Sequence, residues 1–491
     1  MQADVHANAN SLRPRAVPDW FNDAKLGVMI HWGLYSVPGW AERAGTIQDL
    51  WQRHGPNYYF SHNPYAEWYA NTIQIRDSTA QKHHLATYRT DFPYDAFASD
   101  FDKASANVDF SRWAELFAEA KARYVVLTTK HMDGFGLWPS QVMNTYKPGY
   151  HSARDIVGDV TRAIRDRGLK MGLYYSAGYD MTFNATVIRD AASAISAIPQ
   201  DSDYAEYVDR QIEELIERYH PSILWNDISY PVANDLKRLF ALYYNRVPDG
   251  VVNDRWQQIR PASSLVAKTL LKAVSHALPF IWPALPSSLR RFRVPQGTVY
   301  DFATPEYATE SDIVEDKWEA VRGIGPSFGN NRNEQEADLP SGDDLVRLLV
   351  DVASKNGNLL LGVGPEPNGD IPQLQQDRLL HLGRWLAVNG EAIFSTRPWQ
   401  RAEGRTATNV PVRFTCNGDS MFAIVLASIS PGPLIIRDLR PSDSTRVALL
   451  GVDGSLAWQH SGADLAVSVP QSVPVSPAYV FRIRPNIATS V

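Results

Sequence analysis

Eight times within the first 365 residues, a short apolar run rich in β-branched or aromatic side chains ends in polar residues and then gives way to a helical stretch. The runs are LGVMIHWG (26–33), YVVLTTKH (124–131), MGLYYS (171–176), SILWND (222–227), GVVNDR (250–255), TVYDFATPEY (298–307), GIGPSFGNN (323–331) and NLLLGVGP (358–365). Several are separated by amphipathic segments. SRWAELFAEAKA (111–122) carries Trp113, Leu116, Phe117 and Ala120 at helical spacing, and 204–219 and 343–357 behave likewise. Strands alternating with helices predict a parallel sheet, and eight such units predict a (β/α)₈, TIM-like barrel. An open doubly wound sheet is the runner-up, but no glycine-rich phosphate-binding turn follows the first run.

Past about residue 395 the texture changes. VPVRFTCNGDSMFAIVLAS, GPLIIRDL, TRVALLGVDG, LAVSVP and AYVFRIRP are short, β-rich and separated by Pro, Gly and Asp turns, which predicts an antiparallel β-sandwich. The expected division is a catalytic barrel over 1–395 and a sandwich over 396–491, consistent with 491 residues exceeding one core. An irregular insertion at 257–300 joins an apolar helix-like piece, a Pro-broken aromatic piece and a basic end. It reads as a lid or contact surface, a packed extra helix, or an interfacial membrane anchor.

A net charge of -6 argues against a nucleic-acid partner. No stretch is long and apolar enough to span a bilayer, so no integral membrane segment is expected. The start, MQADVHANANSLRPR, lacks the apolar region of an export signal, which suits a cytoplasmic protein or a mature exported form. Cys416 stands alone and cannot form an internal disulfide. With 14 Trp, 22 Tyr and 18 Phe, the chain has flat apolar faces of the kind that pack on sugar rings, although large aromatic cores produce the same count. Assembly into a homo-oligomer is left open.

In a barrel the C-terminal strand ends form the working face. The residues ending the runs are His31 and Trp32, Lys130 and His131, Tyr174 and Tyr175, Trp225 and Asp227, Asp254 and Arg255, Glu306, and Phe328; Glu67 and Trp68 come from the long loop after the first strand. Taken singly, His31 reads as a core histidine, Asp227 as a helix cap, Arg255 as a structural partner of Asp254 and Glu306 as a solvated loop residue. Taken together they offer two carboxyls among rings and neutral donors, which suits glycoside hydrolysis: one attacks the anomeric carbon, the other protonates the departing oxygen. His31, His131, Asp227 and Asp254 could be drawn as a metal site, but no HxH or HExxH spacing supports one. No metal or organic cofactor is expected.

WFNDAKLGVMIHWGLYSVPGW (20–40), YAEWYA (65–70), ARYVVLTTKHMDGFGLWPS (122–140), SILWNDISYP (222–231), VNDRW (252–256), DFATPEY (301–307) and WEAVRGIGPSFGNNRNE (318–334) resemble the signature blocks of the α-L-fucosidases of glycoside hydrolase family 29. The resemblance implies a retaining exo-α-L-fucosidase acting on fucosylated oligosaccharides or glycoconjugates. It implies Asp227 as nucleophile, Glu306 as acid/base, and a fucose pocket of His31, Glu67, Trp68, His131, Trp225, Arg255 and Phe328; Tyr175 joins them by its strand end. Family members usually carry a second histidine where this chain has Met132, and a thioether cannot donate a hydrogen bond. That departure keeps open a weakly active or inactive fucose-binding protein on the same scaffold. A related glycosidase accepting α-L-galactosides is the other alternative.

Overall fold

The computed structural model describes residues 15–262, 264–293 and 295–485; most of the N-terminal stretch discussed above, residues 1–14, lies outside them. Seven parallel strands form one sheet: β1 (Leu26–Ile30), β2 (Tyr124–Lys130), β3 (Lys170–Ser176), β4 (Ile223–Asp227), β5 (Val251–Val252), β6 (Trp318–Gly323) and β7 (Gly357–Val363), in the order β5-β4-β3-β2-β1-β7-β6. Residues 302–306 close the ring. Phe302 bridges Asn253 just past β5, while Ala303 and Glu306 bridge Trp318 and Val321 of β6, all in parallel sense. Counting that stave, eight segments enclose a TIM-like barrel.

The pleat of each strand sorts its side chains between two apolar cores. Met29, Val126, Tyr174, Ile223, Trp225, Phe302, Val321 and Leu360 fill the barrel interior. Val28, Ile30, Leu127, Leu173, Leu224 and Leu361 face outward against helical Trp113, Phe117, Val160, Ile212, Leu215 and Leu349. Burying such side chains contributes about 1.5–3 kcal/mol each, before the chain entropy that opposes it. The helices expected from periodicity run Ser111–Glu119, Ser202–Tyr219 and Gly342–Ser354.

The seventh run is displaced from its expected place. GIGPSFGNN is not a strand; β6 precedes it, and only its first residue, Gly323, belongs to the sheet. Three glycines and Pro326 disfavour a paired strand, whereas Trp318, Ala320 and Val321 supply side chains to pack. The freed loop instead carries Phe328 to the barrel mouth, and the Gly329 N–H donates to Glu67 Oε2 at 2.8 Å.

The C-terminal region is an antiparallel sandwich. Its five-stranded sheet comprises β8 (Arg397–Arg405), β9 (Pro411–Asn417), β10 (Ser420–Val425), β12 (Arg446–Leu449) and β15 (Tyr479–Arg484); its three-stranded sheet comprises β11 (Gly432–Ile436), β13 (Trp458–Ser461) and β14 (Asp464–Val469). Trp399, Phe414, Met421, Ile436, Leu465, Val467 and Phe481 fill the space between the sheets. Residues 257–300 contain the helix Leu265–Ile281 followed by two short turns.

Candidate active site

Inward-facing side chains of adjacent strands define the floor. On β3 and β4, Tyr174 pairs in register with Trp225, and the two rings stack with centroids 5.4 Å apart. Two residues beyond Trp225 the same pleat delivers Asp227 to the rim, where Tyr174 donates its hydroxyl to Asp227 Oδ2 at 2.7 Å. Arg255, two residues past the bridge at Asn253, lies over the Trp225 ring at 4.6 Å.

Arg255 joins the two candidate catalytic groups. Its Nη1 lies 2.9 Å from Asp227 Oδ1 and 3.0 Å from Glu306 Oε2. Thr304 holds the guanidinium from behind, accepting from Nε through its hydroxyl at 3.0 Å and from Nη2 through its carbonyl at 3.2 Å. Oxygens sharing one nitrogen at those distances are no more than about 6 Å apart, close to the roughly 5–5.5 Å of a retaining carboxyl pair and short of the ~6.5–9.5 Å of an inverting pair. Tyr65 donates to the other Glu306 oxygen at 2.6 Å.

The two carboxyls sit in different surroundings. Burial raises the Glu306 pKa above the ordinary carboxylate value, and the charge of Asp227 adds to this; Arg255 and the Tyr65 hydrogen bond oppose it without cancelling it. Asp227 accepts from Tyr174, from Arg255 and from the Ile228 backbone N–H at 2.9 Å. The residues directly after both carboxyls, Ile228 (φ 76) and Tyr307 (φ 48), occupy left-handed backbone that side chains of their kind rarely adopt. Gly178 makes room for the first: a Cβ there would meet Ile228 Cβ at 2.5 Å.

The remaining walls of the pocket are His31, Glu67, Trp68, His131, Phe328, Met29 and Val321. Burial, His131 and Arg255 hold the His31 pKa well below its ordinary value; burial pushes His131 down to about 4, so both rings are neutral at pH 7. Each has a buried Nδ1 with no partner in the protein. Burial pushes Glu67 up to about 7, against the hydrogen bond from Gly329. Neutral rings and a half-protonated carboxyl can each donate or accept, as recognition of sugar hydroxyls requires. Among the described residues, no group of three or more His, Cys, Asp or Glu is arranged to hold a metal.

One candidate lies elsewhere. Tyr175 points out of the barrel into the helix layer, where its hydroxyl donates to Gln211 Oε1 at 2.8 Å; its neighbour Tyr174 takes the pocket position. The same pleat turns Trp32 and Asp254 away, and a register shift in β2 between Thr128 and Lys130 reverses the alternation there, so that Lys130 faces out and His131 in. Trp32 donates to the Glu366 carbonyl, Lys130 pairs with Asp180 at 2.8 Å, and Asp254 accepts from Thr304. Tyr65, absent from the sequence-derived set, was signalled only by its place at the start of YAEWYA.

A family model described as alpha-L-fucosidase matches residues 1–269 and 288–391, and a second, described as alpha-L-fucosidase C-terminal domain, matches 405–484. The chain belongs to the α-L-fucosidase family. The α-L-fucosidase of Dictyostelium discoideum is 30% identical, with 97% of this chain and 94% of that one covered. That of Branchiostoma floridae is 31% identical, with the same 97% and 94% coverage. The Thermotoga maritima α-fucosidase, solved in complex with a mechanism-based inhibitor, superposes with a TM-score of 0.81 at 38% identity, covering 97% of this chain and 99% of that one. Its complex with fucose gives 0.79 at 38% identity and the same coverage. Met132, the departure from the usual fucosidase pattern, is buried in the inner apolar core and is not one of the residues lining the pocket.

Proposed function

We propose that this protein is a retaining, exo-acting α-L-fucosidase that removes terminal α-L-fucosyl groups from glycans by double displacement, with Asp227 as nucleophile and Glu306 as acid/base. The observation that carries the reading is the bridging of both carboxyls by Arg255 Nη1 at the mouth of a barrel. A pocket floored by the stacked Tyr174 and Trp225 rings suits a single terminal residue.

In the first step Asp227 attacks the anomeric carbon as the glycosidic C–O bond breaks, and Glu306 gives its proton to the departing oxygen. This forms a fucosyl ester on Asp227. Esterification removes the Asp227 charge, one of the influences raising the Glu306 pKa, so Glu306 becomes the stronger acid and, once deprotonated, the base for the second step. It then takes a proton from water as the water oxygen displaces the ester, restoring the starting configuration. His31, Glu67, His131 and Trp68 recognise hydroxyls and ring, while Phe328 and Trp225 supply an apolar wall for the fucose methyl.

The catalytic unit is assigned to 1–395 with its insertion at 257–300, and the sandwich to 396–491; the family-model matches ending at 391 and starting at 405 support this division. Asp227→Gly is expected to lower turnover of an aryl α-L-fucoside by about a thousandfold or more, with partial recovery in azide and a β-fucosyl azide product. Near-normal activity in that variant contradicts the assignment.

A further inference from the structure

Within the insertion, the helix Leu265–Ile281 follows β5 and so stands on the same rim of the barrel as the pocket. Its inner side is a narrow seam. The Ser275 carbonyl accepts from Asn57 Nδ2 at 2.6 Å, and Trp282, just past the helix, donates its Nε1 to the Trp51 carbonyl at 2.8 Å. The segment after the helix is tied to the acid/base segment: Gln48 Nε2 donates to the Phe292 carbonyl at 3.1 Å and to the Glu306 carbonyl at 2.9 Å. Its attitude toward the protein is therefore fixed.

A surface helix ordinarily turns polar residues outward. This one carries Val266, Leu270, Ala273, Ala277 and Phe280 at alternating four- and three-residue spacing along the solvent side, with Val266 79%, Leu270 64% and Phe280 80% exposed. Leu289 beyond it is 64% exposed. Charge gives the second observation. Residues 256–300 contain no Asp or Glu but hold Arg260, Lys268, Lys272, Arg290, Arg291 and Arg293, in a chain whose net charge is -6. The family-model match breaks off over 270–287, within this segment.

We propose that this helix docks the protein on an anionic lipid surface, its apolar stripe in the headgroup layer and its lysines and arginines on the lipid phosphates, so that membrane-borne fucosyl glycans are presented to the pocket. The substrate part rests on the fucosidase reading; the lipid contact does not. An outward apolar stripe flanked by basic residues and free of acidic ones complements an anionic bilayer. A second copy of the chain is a poorer occupant. A symmetric pairing would bring Lys268, Lys272 and the other basic residues of this segment against their own copies, with no Asp or Glu in residues 256–300 to offset them.

The test is co-sedimentation of the full chain with vesicles of phosphatidylcholine plus phosphatidylglycerol, against phosphatidylcholine alone, at low and moderate salt. Binding is expected only with phosphatidylglycerol, weakening as salt rises, and falling about tenfold or more in Leu270→Glu/Phe280→Glu and in Lys268→Glu/Lys272→Glu. These variants should keep the parent's kcat/KM on a soluble aryl α-L-fucoside while losing about tenfold on a vesicle-borne fucosyl glycolipid. No vesicle binding by the parent, or undiminished binding by both variants, overturns the proposal. So does a dimer in sedimentation equilibrium that Leu270→Glu/Phe280→Glu dissolves. Failure to turn over any aryl fucoside counts against the fucosidase reading alone, since vesicle binding is read independently.

Discussion

Replacing Tyr174 by phenylalanine removes a hydroxyl that donates to Asp227 Oδ2, whereas the same change at Tyr175 removes a hydrogen bond to Gln211 in the outer core. A hydrogen bond to a charged group is worth about 1.5–3 kcal/mol, so Tyr174→Phe should cut kcat/KM by about 10- to 100-fold. Tyr175→Phe should leave kcat/KM within about twofold and instead cost stability by about 1 kcal/mol, read from denaturant unfolding. The acid/base makes a separate prediction. Glu306 acts in its protonated form and Tyr65 favours its charged form, so Tyr65→Phe should raise the Glu306 pKa further. The alkaline limb of kcat/KM then moves to higher pH; movement to lower pH contradicts the role. For Glu306→Ala, losses should be much larger on poor leaving groups than on activated ones. These cases also show what was legible. The residue types at the strand ends were readable, but the sequence-derived set often offered two neighbours where the pleat admits one. His31, His131, Tyr174 and Arg255 turn inward, while Trp32, Lys130, Tyr175 and Asp254 turn away. For β3 a sequence signal existed: Gly172, Tyr174 and Ser176 suit a narrow interior better than Met171, Leu173 and Tyr175.

At the scale of elements, the two carboxyls depend on turns that hold unusual backbone. Gly178, after β3, lies against the turn after β4, and an added Cβ would meet Ile228 Cβ at 2.5 Å and the Ser229 nitrogen at 2.7 Å. Gly178→Ala should therefore displace Asp227 as well as strain the fold, costing about 1–3 kcal/mol of stability and at least about tenfold in kcat. Unchanged kcat would mean that the turn does not position the nucleophile. Strands with clear apolar patterning were legible, as were the amphipathic helices. GIGPSFGNN was misleading because its one isoleucine and one phenylalanine sit in glycine-rich chain that serves better as a loop over the pocket. The polar strands β8 and β13 escaped for the opposite reason. Both lie at sheet edges, where RPWQRAEGR and WQHS need no alternating apolar face.

Across the whole molecule, the barrel interior is polar at its centre. Glu319 accepts from Tyr124 at 2.6 Å and from Trp225 Nε1 at 3.2 Å, and burial pushes its pKa up to about 7, as it does for Glu67. Both folded pKa values lie above the unfolded value of roughly 4.3, so between these limits the folded state holds more protons than the unfolded one. The stability these two carboxyls contribute should accordingly fall as pH rises from about 5 to 8, against the opposite contribution of His31 and His131, whose folded pKa values lie below the unfolded one. Glu319→Gln isolates one of them: the Tm of the variant relative to the parent should rise as pH goes from about 5 to 8, and a difference that does not grow with pH contradicts the burial cause. The barrel-plus-sandwich architecture was legible because repeated apolar runs and a change of texture near 395 are bulk signals. The closure of the ring by three isolated bridges at 302–306 was not, since it depends on register rather than composition. The central claim is that Asp227 forms a covalent fucosyl ester. Its most direct test is incubation with 2-deoxy-2-fluoro-α-L-fucosyl fluoride, whose fluorine slows ester hydrolysis, followed by mass spectrometry of proteolytic peptides. A single fluorofucosyl residue on the peptide SILWNDISYP, localised to Asp227, is the predicted result; stable labelling of a different residue would contradict it.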